Sequence, residues 1–215
     1  MKYGFGVDLG GTSVKIAFLD ALGNMIDKWE IPTDVSESGS RILPDIASSI
    51  HGYLDSHQID RRLILGVGMG VPGAVLANGE VNKCINLGWG RFDITRTFQE
   101  LVGFPVRVGN DANVAALGEF WKGGGEQADS MVMVTLGTGV GGGIVLGGRL
   151  LIGAHGAGAE IGHMVLNRDE TVPCNCGKYG CVEQYCSATG IVRLAALALA
   201  GTDRDSMLRR IEPMT

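Results

Sequence analysis

His163, Cys174, Cys176 and Cys181 fall within one short run, H-M-V-L-N-R-D-E-T-V-P-C-N-C-G-K-Y-G-C. Three thiolates and one imidazole make a closed tetrahedral set for zinc, with no position left for a reacting water, so the metal would be structural. Gly177 and Gly180 supply the sharp turns that let a loop wrap an ion. The competing readings are reduced thiols in a plain turn or a disulfide, and the disulfide belongs to an oxidising compartment. Cys84 and Cys186 lie outside the run and read as buried thiols.

Two glycine-rich turns offer different chemistry. D-L-G-G-T at residues 8–12 and L-G-T-G-V-G-G-G at 136–143 each leave one strand-like run and enter another. Glycines without a Cβ let backbone amides approach an anion, and the hydroxyls of Thr12 and Thr138 add neutral donors. Either loop alone reads equally well as a tight turn; the two together suit the phosphates of a nucleotide. The second loop also spells G-x-G-x-x-G at Gly137, Gly139 and Gly142. A dinucleotide fold needs a helix directly after those glycines. Here residues 144–146 and 150–152 flank a Gly147-Gly148 turn, a hairpin pattern, which argues against a nicotinamide enzyme.

The elements that must position these loops are legible from periodicity. Runs at residues 3–9, 14–20 and 25–31, separated by G-G-T and L-G-N turns, predict a three-stranded meander. Ile42, Ile46, Ile50, Tyr53 and Leu54 recur at helical spacing, and residues 64–70 read as a buried strand. After the L-G-W-G loop at 87–90, Asp93 caps a helix with an apolar face of Ile94, Phe98, Leu101 and Val102, ended by Gly103. Residues 106–109 form a short strand, Asn110 or Asp111 opens a helix running to Trp121, residues 131–136 form another strand, and 191–200 form an Ala- and Leu-rich helix.

The 215 residues suffice for one large or two small domains, and 45% hydrophobic content excludes disordered and collagen-like chains. Thirty-five glycines, clustered between apolar runs, fit many sharp turns around one cleft. A net charge of -5 with scattered Lys and Arg leaves no basic stripe for nucleic acid and favours a small phosphorylated ligand. Neither a signal peptide nor a membrane-spanning run is visible, so a cytoplasmic chain without a membrane partner is expected.

D-L-G-G-T-S-V-K at the start, G-V-P-G at 70–73, N-L-G-W at 86–89, N-D-A-N at 110–113, the G-T-G loop, E-I-G-H at 160–163 and C-N-C-G-K-Y-G-C-V-E together resemble bacterial glucokinases of the ROK family. The match runs to about Glu183, and the order of so many motifs makes it specific. The resemblance implies an α/β fold of the actin-like ATPase type, with two ribonuclease H-like domains and the second incomplete. The small N-terminal α/β domain would span residues 1–115, and the first part of the large domain, with the zinc loop, residues 116–215. It also implies transfer of the ATP γ-phosphoryl group to the 6-hydroxyl of a hexose, glucose in the first instance, with fructose, allose or an N-acetylhexosamine as alternatives. Relatives often form dimers or tetramers, so a homo-oligomer is expected.

Carried over residue by residue, Asp111 at a helix start becomes the general base, kept ionised by the helix dipole; its plain reading is a helix-capping Asp. Asp8 resembles the family's carboxylate near Mg²⁺, acting through water, while Gly10, Gly11 and Thr12 with Gly137, Thr138 and Gly139 contact phosphate. Lys15 reads as a solvent-facing strand residue. The sugar falls to Asn110, Asp111, Glu160, His163 and Glu183, with the Gly73 turn lining the pocket. Polar groups that each hold one hydroxyl suit a polyol. His163 would bind zinc through one ring nitrogen and face the sugar or Glu160 with the other, so the metal would orient sugar contacts. For Glu160 and Glu183 the plain reading is that of surface carboxylates.

The chain departs from the family by stopping at Thr215, before the segment that would hold adenosine. A truncated chain is therefore expected, one that recognises hexose but turns over ATP more slowly than an extended version. ROK proteins also include sugar-responsive repressors without kinase activity, but these carry a helix-turn-helix before the first strand, which here starts at Tyr3. An actin-like structural ATPase would have no reason for the zinc loop.

Overall fold

The computed structural model describes residues 1–211. The chain divides into two compact units, one of Met1–Met131 with Ile144–Gly158, the other of Val132–Gly143 with Ala159–Thr215.

The first unit is built on a five-stranded sheet. β1 (Tyr3–Leu9), β2 (Ser13–Asp20) and β3 (Met25–Pro32) form the antiparallel meander that alternation predicts, with Phe5, Val7, Leu9, Val14, Ile16 and Phe18 buried. A single turn, α1 (Ser36–Gly39), leads into α2 (Ile42–Ser56), which buries Ile42, Leu43, Ile46, Ala47, Ile50 and Leu54. β4 (Ile64–Val71) then runs parallel to β1. A two-residue pair, β5 (Glu80–Val81) and β6 (Phe92–Asp93), precedes α3 (Ile94–Val102). Asp93 accepts the Arg96 N–H at 2.9 Å as helix cap, and Gly103 ends α3 in the left-handed region at φ 73°. Leu101 departs from its expected place on the apolar face: it is 40% exposed, and Ile94, Phe98 and Val102 are the buried set. β7 (Val106–Asn110) pairs parallel to β4 and runs directly into α4 (Asp111–Lys122). The sheet order is β3-β2-β1-β4-β7.

Register explains why three motifs meet in this unit. Asp8 pairs with Gly70, and Gly70 with Gly109, so D-L-G-G-T, G-V-P-G and N-D-A-N all leave from the carboxyl ends of neighbouring parallel strands. Open α/β sheets bind ligands at that edge, where loops splay and helix N-termini point.

β8 (Met131–Leu136) and β9 (Val140–Leu146) enclose the G-T-G turn, with β10 (Arg149–Leu150) completing a three-stranded sheet in the order β10-β9-β8. The second hairpin arm is shorter than residues 150–152. Although Leu151 still donates to the Ile144 carbonyl, Ile152 turns its own carbonyl to Gly158, so the chain peels away.

In the second unit, residues 159–182 carry little regular structure beyond a 3-10 turn at Ile161–His163 and bridges pairing Val165 with Cys181 and Pro173 with Tyr179. Glu170 clasps this segment: its carboxylate accepts from the Val172 amide, the Tyr185 hydroxyl and Arg193, which hold its pKa down to about 2. α5 (Glu183–Cys186) and α6 (Ala188–Ala200) follow. α6 starts at Ala188, ahead of residue 191, because the buried Ser187 hydroxyl caps it by accepting the Gly190 N–H at 3.0 Å. Cys186 is half-buried at the end of α5, so the expectation of a buried thiol there is corrected. Among the described residues, the apolar side chains and thiols buried in this unit are Val140, Cys174 and Cys181.

Candidate functional site

In the first unit, Asn110 caps α4 by accepting the Asn113 N–H at 3.1 Å, while its side-chain amide reaches the Gly73 carbonyl at 3.3 Å and Asp111 Oδ1 at 2.9 Å. Asp111 Oδ1 also accepts the Ala112 N–H at 2.8 Å. Oδ1 is thus the held oxygen, and among the described residues Oδ2 has no partner. The Asp111 pKa is raised, first by crowding that strips water from the carboxylate and then by the charge of Asp8, against the Ala112 and Asn110 hydrogen bonds that lower it. The net direction is upward, which makes the carboxylate a stronger proton acceptor than a free one. Gly73 is needed for packing, since a Cβ there would stand 2.5 Å from Cys84 Sγ. The Cys84 thiol is pushed up to about 11 by burial and by Asp111, so it stays protonated.

Beside Asn110 lies a cavity of about 220 Å³, lined also by Asn78, Thr95, Arg107 and Asn113 and by apolar Val75 and Ile152. Asn113 is 3% exposed, and its Oδ1 has no partner among the described residues. Its place in N-D-A-N was the available signal for Asn113; an isolated Arg at 107 gave none.

Asp8, next to last in β1, lies beside Lys15 at 3.9 Å, with both side chains well exposed. The turn after it closes through the Gly10 N–H to the Ser13 carbonyl at 3.0 Å. The amides of Gly11 and Thr12 find no acceptor among the described residues, and a Cβ on Gly11 would touch nothing.

The second unit repeats that arrangement. In the G-T-G loop the carbonyls of Gly137 and Thr138 are held from behind, by the Ala188 amide at 2.9 Å and the Thr189 hydroxyl at 3.1 Å. The amides of Thr138 and Gly139 have no acceptor among the described residues, and a Cβ on Gly137 would meet nothing within 4 Å. Neither Gly11 nor Gly137 has a positive φ. The fold itself demands glycine at neither position.

His163, Cys174, Cys176 and Cys181 converge in the same unit, with donor atoms all within 4.8 Å of one another. Cys176 and Cys181 sulfurs are 3.7 Å apart, and Cys174 Sγ lies 3.8 Å from His163 Nδ1. Ligands about 2.3 Å from a tetrahedral centre stand about 3.8 Å from each other. The donor set therefore fits zinc in type and in spacing. Desolvation and the neighbouring thiols push the Cys181 thiol up to about 12, a cost that a central dication removes. His163 Nε2 faces the other way, 3.9 Å from Glu160 Oε2. Glu183 Oε2 accepts the Val140 N–H at 3.0 Å, and its Oε1 is 3.8 Å from Cys174 Sγ.

The expected residues are thus gathered in two sets: Asp8, Gly10, Gly11, Thr12, Gly73, Asn110 and Asp111 in the first unit, and Gly137, Thr138, Gly139, Glu160, His163, Glu183 and the cysteines in the second.

The sequence profile described as "ROK family" matches residues 4–213. A glucokinase of Halalkalibacterium halodurans is 46% identical over 191 residues, covering 88% of this chain and 58% of the relative. A ROK family glucokinase from Streptomyces griseus, solved with glucose and AMPPNP, superposes with a TM-score of 0.75 at 35% identity, over 93% of this chain and 62% of that one. A ROK family transcriptional regulator, a homologue of the Escherichia coli MLC protein, gives a TM-score of 0.82 at 26% identity, over 98% of this chain and 53% of that one. The chain therefore spans less than two thirds of the length of these relatives.

Proposed function

The chain belongs to the ROK family, and on that footing we propose that it is part of an ATP-dependent hexose kinase, with glucose the favoured substrate and glucose 6-phosphate the product. The observation that carries the reading is the matched pair of glycine loops, each presenting two amides without a partner among the described residues, beside a glycine whose missing Cβ faces open space. Such loops are built to hold phosphate oxygens. A cytoplasmic location, which would keep the thiols reduced, belongs to the same proposal; the expected division at residues 115 and 116 falls inside α4 and gives way to the two interleaved units described above.

Asp111 acts as the base. With Oδ1 fixed by Ala112 and Asn110, Oδ2 accepts the proton of the attacking 6-hydroxyl as it reaches the γ-phosphorus. Asn110, the Gly73 turn, Glu160, His163 and Glu183 hold the other hydroxyls. Asp8 would help to hold Mg²⁺, which would neutralise charge on the phosphates. Zinc would be structural, orienting His163 so that Nε2 stays on Glu160.

A second reading, a sugar-binding regulator without kinase activity, is favoured by the likeness to the transcriptional regulator. A coupled assay of ADP release, paired with calorimetry of glucose binding, decides between them, run on this chain and on a version extended to the relatives' length. The kinase reading expects glucose-dependent ADP release that Asp111→Asn abolishes while glucose still binds. Sugar binding with no ADP release at either length selects the regulator. Fructose, allose and N-acetylhexosamines in the same assay rank the substrates.

A further inference from the structure

Glu183 stands where two features of the second unit meet. It follows the thiol of Cys181 by two positions and opens α5. One carboxylate oxygen lies 3.8 Å from the Cys174 sulfur; the other accepts the amide of Val140, the residue that closes the G-T-G loop, at 3.0 Å. It also explains a glycine: a Cβ on Gly139 would sit 2.5 Å from Glu183 Oε2 and, among the described residues, meets no other side chain within 4 Å. The carboxylate thus lies against the loop backbone and fills the place a side chain would take.

We propose that Glu183, in addition to the sugar contact given above, is a positioning residue that couples the Cys/His cluster to the glycine loop, so that closing the cluster fixes the backbone from Gly137 to Val140. The loop has few other ties. Its carbonyls are held by Ala188 and Thr189, and Ser187, just after α5, caps the helix that supplies them. The Glu183 contact is the side-chain hydrogen bond to a loop amide, and it comes from the segment whose shape the cluster sets. Opening the cluster releases Cys181, two residues before Glu183, and Cys174, beside one of its oxygens, and the carboxylate loses its fixed origin. The coupling is independent of what the loop binds; its catalytic meaning rests on the phosphate reading given above.

Hydrogen exchange followed by mass spectrometry, on peptides covering residues 136–143, tests the coupling without any activity measurement. Zinc-loaded wild type, Glu183→Ala and Glu183→Gln are compared, each with and without a chelator, with zinc content measured by elemental analysis. Loss of one hydrogen bond to the loop amide predicts exchange faster by about fivefold in Glu183→Ala, with zinc still bound. Glu183→Gln, which keeps an acceptor oxygen, retains the wild-type protection. Chelation speeds exchange of the loop in wild type and adds little in Glu183→Ala. A loop as protected in zinc-loaded Glu183→Ala as in wild type overturns the proposal, and so does a chelated wild type whose loop stays protected. Neither result bears on whether the loop binds phosphate, which the ADP assay measures.

Discussion

Asp111 is a carboxylate whose two oxygens have separate duties, one bound and one open, and whose affinity for a proton is raised by the charge of Asp8 as well as by crowding. A base with a raised pKa is protonated at higher pH than a free carboxylate. The acid limb of kcat/KM should therefore have its midpoint above the ordinary Asp value of about 3.9, with activity rising through it as the proton leaves. Removing the neighbouring charge in Asp8→Asn should lower the Asp111 midpoint, read by carboxyl-carbon NMR so that any effect of Asp8 on activity does not intrude. A midpoint that stays put in Asp8→Asn would show that crowding alone sets it. The identity of Asp111 could be read from N-D-A-N, because a polar pair opening a helix after a short strand is a local pattern. The direction of its pKa could not, since Asp8 arrives through the register of β1 on β4 and β4 on β7. The tie from Glu183 to Val140 was hidden for the same reason: it joins residues 43 apart.

The two glycine loops and the Gly73 turn are alike in composition and opposite in cause. A Cβ at Gly137 meets nothing within 4 Å, whereas one at Gly73 overlaps Cys84 Sγ and the Lys83 carbonyl. Gly137→Ala should leave thermal stability within about 0.5 kcal/mol of wild type while raising the KM for ATP by roughly tenfold, a loss of about 1.4 kcal/mol of binding. Gly73→Ala should cost about 1–3 kcal/mol of stability through overpacking, seen as a lower Tm before any kinetics are measured. If Gly137→Ala melts early and binds ATP normally, the loop is a structural turn. At this scale most elements were legible. Phe5, Val7 and Leu9 on β1 and Val14, Ile16 and Phe18 on β2 alternate cleanly, and Asp93 and Gly103 mark both ends of α3. What escaped has long-range or capping causes. The β5–β6 pair joins Glu80 to Asp93 across a loop, and α6 starts early on the Ser187 hydroxyl, whose role cannot be seen in an Ala- and Leu-rich run.

The two units differ in what holds them together. The first has a contiguous apolar core from Phe5 to Val106, with Trp29 stacked on Tyr53 at 4.5 Å, and it contains all three tryptophans. Among the described residues, two of the three apolar or thiol side chains buried in the second are cluster cysteines, so there the donor set stands where a hydrophobic core would otherwise be. Chelation should consequently loosen residues 159–200 by hydrogen exchange while tryptophan emission stays unchanged, and Cys176→Ser should reproduce the pattern without a chelator. A chelator that shifts tryptophan emission would show that the metal supports the first unit as well. The chain also passes from one unit to the other three times, after Met131, after Gly143 and after Gly158. It follows that neither unit is a contiguous stretch that can be cut out. A nick at the exposed Gly147-Gly148 turn yields two fragments, each carrying a piece of both units. The first holds the whole five-stranded sheet and the G-T-G loop, the second holds β10 and the cysteine segment. Such halves are interlocked like two links sharing both rings, and when expressed separately they should reassemble and co-purify, with β10 still laid against β9 through the pairs Arg149 with Leu146 and Leu150 with Val145.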